Sequence, residues 1–228
     1  MEQEVNWLIR MAVGYGVPFD TVMLILFLPI VVTVITFFRQ IVGIKAFGIY
    51  TPAMITFAFL IIGMQTGNLL QGIKYGTAIF VMVIAVGTLS RIFMKRFRLL
   101  YLPRMAIVIT LVAFATLGVL MVSGSFQRTG LASVSIFPIL IMITLVEKFV
   151  STQIDKGSRT AIILSIETLV ISLITYFLIG WPALILFVQE YPLSVLVTIL
   201  VNIFLGRWSG LRITEYFRFN KIIRKKQG

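Results

Sequence analysis

Few residue types in this chain can do chemistry. It has no histidine and no cysteine in 228 residues. Disulfides, thiolate nucleophiles, Cys/His zinc sites, His-ligated haem and triads built on histidine are therefore excluded. The eight carboxylates are outnumbered by twenty Lys and Arg. One of them, Glu167, stands deep in an apolar run, about 12 Å from Arg159 at ~1.5 Å per residue, which is close to the bilayer centre if that run crosses a membrane. An ionisable group at that depth is a functional candidate by default. It suits either ion or proton handling or a structural carboxyl bonded to a neighbouring helix. Its helical neighbours Ile163, Leu164, Val170 and Ile171 are apolar, and no relay of Asp, Glu or His stands behind it. Asn202 lies at comparable depth in the last apolar run and is a candidate partner. Ser165, Thr168, Ser172 and Thr175 form a stripe about 120° away from Glu167 and read as helix packing. That last run, LSVLVTILVNIFLG, has no lysine for a retinal Schiff base. No aspartate pair, Ser/Lys pair or metal-ligand cluster occurs in the apolar runs, so the residues call for no cofactor and no metal.

The elements that must hold these residues are membrane helices. With 59% hydrophobic and 12% charged residues, the chain has too little polar surface to cover a globule in water. A crossing needs about 20 mostly apolar residues. Seven stretches qualify: Thr21–Phe38, Phe47–Met64, Tyr75–Met94, Met105–Ser123, Leu131–Val146, Thr160–Gly180 and Pro192–Gly206. The expected fold is an all-α bundle of seven transmembrane helices. Residues 1–20 form an extracytoplasmic tail, 21–206 the membrane domain and 207–228 a basic cytoplasmic tail. Trp181–Tyr191 is apolar but too short to cross, and Pro182 and Pro192 bracket it, so it reads as an interfacial or re-entrant turn. Pro29 and Pro138 fall inside spans, where membrane helices tolerate a kink. The start, MEQEVNWLIRMAVGYGVPFD, lacks the basic region of a signal peptide.

Charge sets the orientation. Counted over the loops that alternate along seven spans, 17 Lys and Arg fall on one side and three (Arg10, Lys74, Arg128) on the other. Basic loops stay in the cytoplasm, so the N-terminus is outside and the C-terminus inside. An eighth crossing at Trp181–Tyr191 would break this alternation.

Four segments in this order carry a resemblance: GIKAFGIYTP (43–52), LPRMA (102–106), FPILIMITLVE (137–147) and GRWSGLRITEYFRF (206–219). Together they resemble a bacterial family of seven-helix membrane domains usually fused behind an inactive transglutaminase-like domain. The resemblance runs from about Val22 to Phe219. It implies a multi-pass protein of the bacterial cytoplasmic membrane. Because this chain starts at the helices, it also implies a separate transglutaminase-like or other extracytoplasmic subunit, or a stand-alone branch of the family.

On the expected topology these motifs gather at the cytoplasmic face. Gly43, Phe47, Gly48, Thr51 and Pro52 open the second span, Pro103 and Arg104 the fourth, and Glu147 closes the fifth. Gly206, Arg207, Gly210, Arg218 and Phe219 follow the seventh. The tail from Arg207 reads as an amphipathic helix on the anionic inner leaflet. Arg212 and Glu215 project to its apolar side, where an unpaired charge is costly. The expectation is a cytoplasmic network of Arg104, Glu147, Arg212 and Glu215 that clamps the tail to the fourth and fifth spans. The function this favours is a non-catalytic scaffold or signal-relay domain, a complex subunit coupling an extracytoplasmic partner to a cytoplasmic surface. A small transporter or substrate-binding membrane subunit is the alternative, an embedded enzyme a distant third, and nucleic acid is not an expected partner.

Overall fold

The computed structural model describes residues 6–94, 97, 100–125, 135–208 and 210, and among these there are helices and turns but no strand. The helices are α1 (Trp7–Gly14), α2 (Phe19–Phe37, prolonged by a π turn at Phe38–Val42), α3 (Tyr50–Thr66), α4 (Leu69–Met94), α5 (Tyr101–Ser125), α6 (Ile136–Lys156), α7 (Ser158–Ile179), α8 (Pro182–Glu190) and α9 (Val197–Arg207). A 3-10 turn, Pro192–Leu196, leads into α9. Five helices are long and apolar enough to cross a membrane: α2 with its π turn, α4, α5, α6 and α7. The pair α8 and Pro192–Arg207 passes the same test as one bent segment, with 102° between its arms, while α3 is apolar but has only 17 residues. This is a multi-pass membrane protein.

The helix ends follow local chemistry. Asn6 caps α1, its side-chain oxygen accepting the Leu8 N–H at 3.1 Å. Asp20 stands in the first turn of α2, where a carboxylate suits the positive end of the helix dipole. Gly67, at φ +68°, makes the hairpin between α3 and α4, and Asn68 caps α4 through the Leu70 N–H at 2.9 Å. Gly157, at φ +88°, is the whole link between α6 and α7.

The chain divides into two compact units, 1–53 with 171–228, and 54–170. In the first, two contacts set the register of α2 against α9. Asn202 Nδ2 donates to Thr33 Oγ1 at 2.7 Å, and Gln40 Nε2 donates to the Trp208 carbonyl at 3.5 Å. The sequence offsets, 169 and 168, are nearly constant, so the two helices run parallel. In the second unit α4 and α6 are also parallel. Gly87 meets Val146, Phe149 and Val150, Gln153 Nε2 donates to Thr88 Oγ1 at 3.4 Å, and Arg91 Nη1 donates to Ser158 Oγ at 2.6 Å. Helix α5 packs on both, burying Val108, Val112 and Thr116.

The largest departures from the sequence reading are three. The third span starts at Leu69, not Tyr75, because Lys74 and the polar side chains before it are carried within the helix. The fifth ends at Lys156, not Val146. Its last turns are amphipathic and bury Phe149, Val150 and Gln153 while Lys148 and Asp155 are exposed, so a charged pair ended the apolar window without ending the helix. The N-terminal tail contains α1, whose Ile9 is fully buried.

Candidate functional site

The motif that leads into α3 is built on two left-handed glycines. Helix α2 widens into its π turn, and Gly43 (φ +89°, ψ +21°) ends it with the Gly43 and Ile44 N–H groups both donating to the Phe38 carbonyl, at 3.0 and 3.3 Å. Gly48, at φ +70°, donates to the Ala46 carbonyl at 2.8 Å. A side chain at either position would be strained in that backbone conformation. Phe47 and Thr51 are half-buried. Pro52 is buried, and its carbonyl accepts the Ser172 hydroxyl at 3.0 Å. Ser172 lies about 21 Å along α7 from Ser158, two-thirds of the helix. The last residue of the motif is thus seated beside the second half of α7.

Pro103 is exposed and Arg104 half-buried in the first turn of α5. Glu147 is exposed on α6 and does not close that helix. It follows Val146, which packs on Gly87, one turn of α4 from Arg91. Arg212 and Glu215 lie outside the described residues, as do Arg218 and Phe219, so the clamp has only Arg104 and Glu147 placed.

At the end of α9, Gly206 and Arg207 are exposed, and Trp208 leaves the helix with extended dihedrals (φ −68°, ψ 107°). The α9 helix therefore ends at Arg207, and the amphipathic helix expected of the tail lies from residue 211 on outside the described residues. Gly210 has a clear reason to be glycine: a Cβ there would stand 2.8 Å from the Trp208 Nε1.

The polar residues within the spans are mostly spoken for. Asn202 gives one amide hydrogen to Thr33 and the other to the Thr198 carbonyl at 2.8 Å, while Thr33 donates to the Pro29 carbonyl at 2.7 Å. Both donors of the Asn202 amide are thus used within the first unit. Glu167 is half-buried on α7. Ser165, Thr168, Ser172 and Thr175 are all buried, and three of the four donate to carbonyls of their own helix. Among the described residues no group of three or more acids could hold a metal ion.

Sequence reasoning missed two connections at opposite ends of the first unit. One is the contact of Gln40 with the Trp208 carbonyl, which joins the first and last motifs; the glycine after FRQIV was its only signal. The other lies at the opposite end of the same unit. Asn6 Nδ2 donates to the Glu190 carbonyl at 2.8 Å and the Asn6 N–H to that of Gln189 at 3.4 Å, so α1 is clipped to the end of α8. In the second unit the Ser135 N–H donates to Gln65 Oε1 at 2.9 Å.

No curated protein and no solved structure matches the chain. A family model described as seven transmembrane helices usually fused to an inactive transglutaminase matches residues 15–223, which take in all four motifs and both ends of the α2–α9 pair. The chain belongs to this family of seven-helix membrane domains.

Proposed function

We propose that the chain is a non-catalytic relay domain of the bacterial cytoplasmic membrane. It crosses seven times, seats an extracytoplasmic partner at its outer face and passes that partner's state to the inner face. The observation that carries this reading is the continuity of the first unit. The Asn6 clip holds α1 to α8, α8 leads through the 3-10 turn into α9, and α9 lies in parallel register with α2 as far as Trp208. A displacement of the outer segment therefore has a packed path to the inner motifs.

Two features support the topology. Parallel α2 and α9 need an odd number of crossings between them, as a seven-span chain has, whereas an extra crossing at Trp181–Tyr191 would make them antiparallel. Four contacts also join only segments that the charge count puts on one side. Asn6 with Glu190 and Gln65 with Ser135 pair outer segments, and Arg91 with Ser158 and Gln40 with Trp208 pair inner ones.

Proton flux in liposomes tests relay against transport. Reconstituted chain in vesicles loaded with a pH dye, under an imposed potential, should acidify no faster than empty vesicles. Glu167→Gln should leave that baseline unchanged. Flux in the native chain that disappears with Glu167→Gln would replace the relay with a proton-coupled carrier.

A further inference from the structure

The α2–α9 seam ends in two arginines. Their sequence offset is 168, the same as that of the Gln40–Trp208 contact, so Arg39 and Arg207 are level. At about 100° per residue, and somewhat less where Arg39 enters the π turn, Arg39 lies roughly 120–160° back from Thr33, and Arg207 roughly 140° on from Asn202. Thr33 and Asn202 face each other on parallel helices, so these rotations bring both arginines to the same side of the seam. Arg39 is half-buried and Arg207 exposed, and neither has an ion pair or a hydrogen bond among the described residues. The same rotation puts Ile25, Leu28 and Ile203 on that side, and they are 64%, 53% and 51% exposed. Beyond the arginines Trp208 turns out of the helix, an aromatic of the kind that settles at headgroup depth.

We infer that this side of the seam is a binding site for one anionic phospholipid, its phosphate between Arg39 and Arg207 and an acyl chain along Ile25, Leu28 and Ile203. A guanidinium presents a planar fork that matches phosphate oxygens in pairs. Two such groups at one level, with no ion pair to an acid among the described residues, have a charge that a phosphodiester neutralises. The apolar strip running away from them along the helices distinguishes a lipid from a free anion. Basic positions between helices near the cytoplasmic surface commonly take anionic headgroups. The site goes beyond the relay reading and does not depend on it. It adds a defined lipid to the general attraction of the basic tail.

Native mass spectrometry of the full chain in mild detergent, titrated with phosphatidylglycerol, tests it. The native chain should hold one phosphatidylglycerol tightly and phosphatidylcholine weakly. Arg39→Gln with Arg207→Gln should weaken that lipid roughly tenfold or more. The control Lys148→Gln with Lys156→Gln removes the same charge from α6 and should not weaken it. Inorganic phosphate in excess should leave the lipid bound. Retention unchanged by the arginine pair would overturn the site. An equal loss in the lysine control would reduce it to diffuse charge attraction. Displacement by inorganic phosphate would make it a free-anion site and overturn the lipid assignment.

Discussion

Gly76→Ala should destabilise the protein by about 2–3 kcal/mol, although alanine is ordinarily the better helix former by nearly 1 kcal/mol. Gly76 is buried on α4, and a Cβ there would overlap the Cδ1 and Cε1 of Phe59 on α3. Phe59 is itself 0% exposed, so its ring has nowhere open to turn. Close helix approach through a small residue is how membrane helices gain packing in the absence of a hydrophobic drive. The cost should fall when the ring shrinks: in a Phe59→Leu background, Gly76→Ala should lose no more than about 1 kcal/mol, a coupling typical of touching side chains. Gly118→Ala on α5, where nothing lies within 4 Å of the added carbon, should be neutral or slightly stabilising. Unfolding by SDS in mixed micelles reads all four variants. A neutral Gly76→Ala would mean that α3 and α4 are further apart than described.

Thiol labelling of intact cells should divide single-cysteine variants without overlap. The chain has no native cysteine, so each variant reports one position. Cysteines replacing Gln65 and Glu190, both exposed and on the side to which the charge count assigns three basic residues, should react with an impermeant maleimide from outside. Those replacing Lys45 and Lys156, exposed on the side with 17 basic residues, should react only in inverted vesicles. Labelling of Lys45→Cys in intact cells would reverse the orientation. Labelling of Glu190→Cys only in inverted vesicles would mean that Trp181–Tyr191 crosses.

Much of this architecture could be read directly from residues. Five of the seven apolar stretches fall on helices long and apolar enough to cross a membrane, α2 and α4 to α7, because a bilayer demands a length of apolar helix that little else in a sequence imitates. Ends were less legible. Lys74 and Glu147 look like loop residues in a hydropathy window, yet both lie inside helices whose backbone bonds continue past them. Helix α1 was hidden because eight residues carry too little periodicity, and its stability comes from Ile9 and the Asn6 clip.

The candidate site was legible in its residue types and not in its connections. The glycines at 43 and 48 could be singled out from the motif, and the structure gives each its positive φ. That Pro52 would meet Ser172, or Gln40 the Trp208 carbonyl, depends on register between helices more than a hundred residues apart in sequence. A single chain without its relatives does not encode such register in any local pattern. Asn202 shows the same limit: depth alone did not point to Thr33, which the facing helix supplies.

The relay itself is tested most directly by breaking the outer clip and reading the inner end of α9. Gly206→Cys is a fitting reporter, because nothing lies within 4 Å of the position. In inverted vesicles its maleimide labelling rate should change about fivefold or more when Asn6→Ala removes the side-chain bond to the Glu190 carbonyl and the cap on α1, a shift within the usual range of coupling between sites. Asn68→Ala, which removes a helix cap from the other unit, should leave the rate where it was. An unchanged rate with Asn6→Ala, or an equal change with Asn68→Ala, would contradict a path from the outer segment to the inner face.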